Sequence, residues 1–110
     1  MESKAAVLTL SALAQDTRLA IFRLLVTAGP AGLVVGRIGE TLGVAPATLS
    51  FHLKELTHAG LITARQESRF IHYSANYAAM NELLAFLTEN CCGGMPCGVA
   101  STVQANGACC

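Results

Sequence analysis

The sequence LSFHLKELTHAGLI, residues 49–62, carries the pattern that decides the fold. Three leucines recur at the spacing that places them on one face of an α-helix: Leu49, Leu53 and Leu56. Pro46 suits the first turn of that helix, because proline has no backbone N–H group and the first N–H groups of a helix lack an internal partner. Gly60 is a typical residue to end the helix. This stretch therefore predicts a helix from Pro46 to about Ala59.

The segments on either side predict four more helices and one hairpin. Apolar periodicity and capping signals give the helices Val7 to Ala14, Asp16 to Thr27, Val35 to Leu42, and 76–90 behind an Asn76 cap. Leu61 to Gln66 and Arg69 to Ser74 are rich in β-branched and aromatic residues and predict a hairpin around Glu67-Ser68. Two short helices joined at Gly43 and followed by a hairpin indicate a winged helix-turn-helix. The predicted class is mainly α with a small β-hairpin (α+β), with five helices and a two-stranded wing.

Composition sets further limits. Among the 110 residues, 53% are apolar and 13% are charged, so we expect a second subunit to cover part of the apolar surface. Residues 1–90 are expected to form the folded domain, and 91–110 an irregular cysteine-rich tail. The apolar stretch from Leu24 to Gly36 is short and broken by glycine and proline, so no membrane partner is predicted. The first residues, MESKAAVLTL, lack the features of a signal peptide, so we expect a cytoplasmic protein with reduced thiols.

The predicted second helix of the pair carries side chains suited to DNA. In this fold that helix enters the major groove, and the hairpin reaches along the backbone. Four polar residues suit donation to phosphates or base edges: Thr48, Ser50, His52 and Lys54. Phe51 suits packing against a thymine methyl group. The alternative is that this polar face is merely solvated, although an outward Phe51 with few charges nearby makes simple solvation less favourable.

These segments resemble the arsenic-responsive repressor (ArsR/SmtB) family of dimeric winged-helix metal sensors. The resemblance runs from about Leu10 to Asn90. It is carried by ALAQDTRLAIFRLL (12–25), LSFHLKELTHAGLI (49–62) and RQESRFIHYS (65–74). Two positions depart from the family pattern. Ala45 replaces the usual Ser or Thr cap, and Ser68 stands at the wing tip where glycine is usual, so a positive φ there would be mildly strained.

The charge balance has to be reconciled with a DNA partner. Seven basic residues match seven acidic ones, which is mild evidence against a DNA-binding protein. The resemblance eases this difficulty, because a dimer doubles the slightly positive strip between 46 and 73. Within that strip Arg65 and Arg69 are expected to contact the backbone of double-stranded operator DNA. Because few ion pairs would form with DNA, we expect the salt dependence of DNA binding to be shallow compared with that of other proteins of this class.

The resemblance also implies a homodimer built from the first and last helices. The residues expected at this interface are Val7, Leu10, Met80, Leu84 and Leu87. The alternative, that these apolar stripes pack into the core of the monomer, stays open because helical periodicity is the same in both cases.

The five cysteines all follow residue 90. Family members bind their ligand at a Cys-Val-Cys motif in the third helix or at Asp and His on the last helix; here 33–43 contains no cysteine and the last helix offers only Glu82 and Glu89. Some relatives sense arsenic with cysteines after the last helix. Trivalent arsenic or antimony, As(III) or Sb(III), is thiophilic and is the expected inducer, with no obligatory cofactor. The expected ligands are Cys91, Cys92 and Cys97.

Other interpretations of the cysteines stay open. A four-thiolate zinc site would add Cys109 or Cys110, since zinc prefers tetrahedral sets. Adjacent thiols also suit a redox switch. A small thiol enzyme or metal carrier is the remaining alternative, but a thioredoxin-type enzyme needs C-x-x-C beside a βαβ unit, and neither is present. We therefore predict that the protein is not an enzyme.

Overall fold

Five α-helices and three short strands follow one another in the computed structural model of the protein, which describes residues 1–94. In chain order the elements are α1 (Ser3–Leu13), α2 (Asp16–Ala28), β1 (Leu33–Val34), α3 (Val35–Leu42), α4 (Pro46–His58), β2 (Ile62–Glu67), β3 (Phe70–Ala75) and α5 (Tyr77–Leu87), followed by a 3₁₀ turn at Cys91–Gly94. The predicted winged helix-turn-helix is confirmed. The predicted tail lies mostly outside the described residues.

The ends of the helices follow the local signals in the sequence. Gly43 adopts the left-handed conformation, with φ 67° and ψ 39°, and its N–H group donates to the carbonyl oxygen of Gly39 at the end of α3. Pro46 occupies the first turn of α4, while Ala45 precedes it without a side-chain cap. The Asn76 side chain accepts a hydrogen bond from the backbone N–H of Ala79, so it caps α5 as predicted.

The wing contains one strand more than the sequence predicts. Its antiparallel sheet has the order β1-β3-β2, with Leu33 opposite Tyr73 in β3. The predicted two-stranded hairpin is present as β2 and β3, and β1 adds a third strand that the sequence did not reveal, because a two-residue strand is too short to show a sequence period. Gly32 leads into β1 with φ +74°, and a Cβ atom there would collide with the carbonyl oxygen of Tyr73. The hairpin turn is Ser68-Arg69, one residue later than predicted, and Ser68 does adopt positive φ, 59°.

The core lies between α2, α4 and the sheet. Its largest fully buried side chains are Ile21, Leu25, Ile38, Leu49, Leu53, Leu56, Leu61 and Ile62. The leucine stripe of α4 therefore faces inward as predicted, and the opposite face of α4 is left to solvent. Among residues 1–94 no single helix has both the length and the apolar character to cross a membrane; α1 and α2 meet that test only jointly, as a pair bent by 99°.

Helix α1 packs against α2, α4 and α5. Its buried face consists of small side chains, Ala6, Thr9 and Ala12, which allow close approach. The start of α1 lies beside the end of α5, because Met1, Phe86 and Glu89 line one shallow cleft. The first and last helices are therefore neighbours on one side of the molecule.

Candidate nucleic-acid interface and thiol pair

The outer face of α4 exposes most of the side chains predicted to contact DNA. The exposed residues are Thr48, Ser50, Phe51 and Lys54. The Phe51 side chain is 56% exposed, so a large apolar ring stands among hydroxyl groups and one ammonium group. This combination offers hydrogen-bond donors and an apolar contact on a single helix face.

His52 is the exception among the predicted DNA contacts. It is only 8% exposed, and its ring packs edge-on against that of Phe51 at a centroid distance of 5.4 Å. The physical reason is its position three residues after Leu49 and four before Leu56, which places it on the buried stripe of α4. We therefore remove His52 from the DNA-contacting set. The helical spacing contained this signal, but the polarity of the side chain obscured it.

Arg18 is a residue that the sequence patterns did not single out. It lies in the first turn of α2, and its Nη1 atom is 3.4 Å from Nδ1 of His52. The two residues are 34 positions apart, and no local periodicity relates them. Only the packing of α2 against α4 brings them together.

The wing presents its two arginines differently. Arg69 is exposed in the hairpin turn. Arg65 is also solvent-accessible but is engaged: its Nε donates to Oε2 of Glu67 at 3.1 Å, and its Nη2 donates to the carbonyl oxygen of Ala31 at 3.3 Å. Phe70, beside the turn, is exposed and was missed by the sequence analysis. The wing tip therefore presents an exposed arginine, Arg69, and the exposed ring of Phe70, whereas the charge of Arg65 is partly neutralised by Glu67.

His72 stands opposite Arg65 in the sheet register and on the same face of the hairpin. Its Nδ1 atom lies 3.9 Å from Oε1 of Glu67, beyond hydrogen-bonding distance. Within the part of the chain that the structure describes, this buried nitrogen has no hydrogen-bond partner. The carboxylate of Glu67 thus sits between an arginine and an imidazole.

The thiols of Cys91 and Cys92 lie close together just after α5. Their Sγ atoms are 3.6 Å apart. Cys92 adopts φ 55° and ψ 39°, a left-handed conformation that breaks the helical path and removes the roughly 100° divergence of neighbouring residues in an α-helix. Cys97 lies outside the described residues, as do Cys109 and Cys110. Among residues 1–94, no group of three His, Cys, Asp or Glu side chains is arranged to hold a metal ion.

The predicted dimer residues divide into two groups. Three are large apolar side chains left exposed on the neighbouring helices α1 and α5: Val7 at 61%, Leu10 at 40% and Leu87 at 54%. The other two, Met80 and Leu84, are partly buried, and Met80 packs against the core. The interpretation of these stripes as monomer core therefore accounts for Met80 but not for the exposed three.

Comparison with known proteins agrees with this geometry. A family model described as "Helix-turn-helix domain" matches residues 13–65. HlyU from Vibrio cholerae N16961 is 34% identical, with a TM-score of 0.62 over 79% of this chain and 97% of that one. An ArsR-like transcriptional regulator from Rhodococcus sp. RHA1 is 26% identical, with a TM-score of 0.69 over 79% of this chain and 78% of its own.

Curated sequences give the same result over a shorter span. A putative arsenical resistance operon repressor, ArsR, from Halobacterium salinarum is 41% identical over 64 residues, which are 58% of this chain and 49% of that protein. The chain spans about half the length of the curated relatives it matches. The fold and its relatives define a winged helix-turn-helix protein of the kind found in transcriptional regulators. Within that class, the chain belongs to the ArsR/SmtB-type family.

Proposed function

We propose that this protein is a homodimeric transcriptional repressor that binds operator DNA and leaves it when As(III) or Sb(III) binds cysteine thiolates after α5. The observation that carries the proposal is the pair of Cys91 and Cys92 sulfurs, 3.6 Å apart at the end of a helix with an exposed apolar side chain. The ligands would be Cys91, Cys92 and Cys97.

The DNA-binding part of the proposal is supported by the outer face of α4 and by the wing. Ser50 and Lys54 would donate to base edges or phosphates, and Phe51 would contact a thymine methyl group in the major groove. Arg69, exposed at the wing tip, would contact the backbone. Since the whole chain is neutral, affinity would depend on the geometry of these few contacts rather than on a strong overall field.

The dimeric part is supported by the exposed apolar residues of α1 and α5. An isolated exposed leucine is unremarkable in a soluble protein, but Val7, Leu10 and Leu87 lie on two helices that pack together. Burial of this joint surface against a second copy would remove it from water. It would also set the distance between two α4 helices, which must match one turn of DNA, about 34 Å.

The thiol geometry suits a soft ion. At the zinc–thiolate bond length of about 2.3 Å and with tetrahedral bond angles, two sulfurs bound to one ion lie roughly 3.8 Å apart. The 3.6 Å separation of the Cys91 and Cys92 sulfurs is close to that distance, so little rearrangement is needed for both to bind one ion. A trivalent arsenic or antimony ion takes three thiolates, and Cys97, five residues after Cys92, would supply the third.

Release would follow from the position of the thiols. The end of α5 adjoins the start of α1, and both helices contribute to the proposed dimer surface. A ligand that clamps the chain after α5 would favour a dimer shape in which the two α4 helices no longer match the groove spacing. The ligand acts only through its differential affinity for the two shapes, and coupling energies of this kind are typically ~1–3 kcal/mol.

The test is fluorescence anisotropy of a labelled duplex from the region upstream of the protein's own gene. Arsenite, antimonite and zinc are titrated separately under reducing conditions. Each single Cys→Ser change at Cys91, Cys92 or Cys97 should preserve DNA binding and abolish release by arsenite, because a hydroxyl group is a poor donor to a soft ion. The double change at Cys109 and Cys110 is the matched control and should respond as the wild type does.

Two results would contradict the metalloid site. If the control variant loses its response while the three single variants keep theirs, the ligands have been misassigned. If zinc alone releases the DNA, the four-thiolate zinc site replaces the metalloid site.

A thiol redox switch is the second candidate, and the same sulfur pair favours it. The chain is also 33% identical to a protein whose structure is described as reduced HlyU, covering 90% of it. In such a switch two thiols and one molecule of hydrogen peroxide give one disulfide and two molecules of water. Release of DNA by peroxide, reversed by dithiothreitol and unaffected by arsenite, would favour this candidate.

A further inference from the structure

One guanidinium group joins three helices. The Nε atom of Arg18 donates to the carbonyl oxygen of Ala12, in the last turn of α1, at 2.7 Å. Its Nη1 atom lies 3.4 Å from Nδ1 of His52, in the middle of α4. Its own backbone N–H group donates to the side chain of Gln15, the residue that caps α2. Arg18 therefore connects the end of α1 and the centre of α4 to the start of α2.

The chemistry of this contact assigns a role to the histidine nitrogen. A guanidinium group has only donors, so Nδ1 of His52 is the acceptor in this contact. His52 is 8% exposed, so removal of its partner leaves a buried acceptor that water does not readily reach. Glu55 and His58, in the last turn of α4, line the same shallow cleft as Arg18.

We infer that Arg18 is a positioning residue for DNA binding, acting through His52 to hold α4 in a fixed orientation relative to α1. The inference rests on the proposed function, in which α1 contributes to the dimer and α4 reads the DNA. Along the chain, α1 and α4 are separated by the 99° bend between α1 and α2, by α2 itself, and by β1 and α3. Contacts between side chains therefore have to fix the orientation of α4 relative to α1.

The exposed ring of Phe51 lies at the end of this chain of contacts. It packs edge-on against His52, with an interplanar angle of 60°. Arg18 thus supports His52, and His52 supports the one large apolar side chain that α4 presents to solvent. Loss of either supporting group would loosen the orientation of Phe51 as well as that of the helix.

The expected effect is on discrimination rather than on all binding. If loss of the contact leaves α4 correctly oriented in about one molecule in ten, the dissociation constant for operator DNA rises about tenfold. Binding to random DNA should change much less, because phosphate contacts do not require the exact spacing of two recognition helices.

The experiment compares anisotropy on the labelled upstream duplex with that on a scrambled duplex of equal length. The variants Arg18→Met and His52→Leu should each lose about tenfold in discrimination, and the double variant should lose little more, since both remove one contact. His52→Asn should restore most of the discrimination, because its amide oxygen offers an acceptor near the position of Nδ1. Arg23→Met removes the same charge from an exposed position on α2 and should behave as the wild type.

Circular dichroism and sedimentation establish that each variant is folded and has the wild-type association state. Should Arg18→Met fail to fold, Arg18→Lys replaces it. Lysine keeps the charge, but its single ammonium group does not reproduce the two separate nitrogens that contact Ala12 and His52, so the same loss is expected.

Four outcomes would overturn the inference. They are additive losses in the double variant, no rescue by His52→Asn, an equal fall on both duplexes, and unchanged discrimination in every variant. In each of these cases the wild type still discriminates, so the proposed function survives. A wild type that binds neither duplex would overturn the proposed function, and this inference with it.

Discussion

The substitution Leu87→Glu tests the proposed dimer surface most directly. Leu87 is 54% exposed at the end of α5, so little of the monomer core depends on it. A glutamate there should leave the fold intact. It should weaken or abolish dimer formation, because a carboxylate resists transfer from water into an apolar interface.

The exposure of the side chain sets the magnitude. Complete burial of a leucine side chain is worth about 1.5–3 kcal/mol, so the exposed half of Leu87 would contribute about 0.8–1.6 kcal/mol when a partner covers it. A dimer contains two copies, so the apolar loss alone is about 2–3 kcal/mol. That loss corresponds to a dimer dissociation constant roughly 30- to 150-fold higher in the variant than in the wild type. Desolvation of two carboxylates adds to this difference.

Sedimentation equilibrium across a range of protein concentrations measures the dissociation constant directly. Leu19→Glu is the matched control, because Leu19 is the same residue type, is 44% exposed, and lies on α2, which is not part of the proposed surface of α1 and α5. The control should dimerise as the wild type does, and the Leu87 variant should be monomeric and bind operator DNA poorly. If the Leu87 variant dimerises normally, or if a monomeric wild type binds operator DNA tightly, the proposed surface is wrong.

Four further predictions concern the DNA-facing surface and the wing. Ser50→Ala should reduce discrimination between operator and random DNA by ~1–3 kcal/mol if it contacts a base, as measured by competition binding. Arg69→Ala should weaken binding to both kinds of DNA and flatten the salt slope by about two units, one for each subunit of the dimer; a change in base preference instead would mean that Arg69, and not Ser50, reads the bases. Glu67→Gln should strengthen binding and steepen the salt slope, because it removes the carboxylate charge that pairs with Arg65, and unchanged binding would mean that the ion pair does not restrain that arginine. Gly32→Ala should lower the free energy of unfolding by about 1–3 kcal/mol in urea titrations, because of its positive φ and its collision with β3; an unchanged unfolding midpoint would contradict that strain.

Much of the fold could be predicted from short stretches of sequence. The leucine stripe of α4, the helix junction at Gly43 and the Asn76 cap each occupy less than two turns of chain, and each is found where predicted. These features depend on contacts between residues a few positions apart, so helical spacing and capping chemistry describe them fully. The hairpin was placed to within one residue for the same reason.

The candidate site was predictable only where it follows the local period. The exposure of Ser50, Phe51 and Lys54 follows from the position of the leucine stripe. The inward position of His52 follows from the same period, and it was missed because the type of side chain was given more weight than its place in the helix. Its partner Arg18 comes from another helix, and no spacing rule relates the two.

Local sequence signals were enough to predict the winged helix-turn-helix and the outer face of α4, and every cysteine follows residue 90. The packing of the folded chain was needed to show that β1 joins the sheet, that the Ala31 carbonyl accepts a hydrogen bond from Arg65, and that the Cys91 and Cys92 sulfurs approach to 3.6 Å. Helices and strands follow from the local periodicity of the sequence, whereas these contacts depend on segments distant along the chain or on a single left-handed residue. Their free energies are settled only when the helices pack.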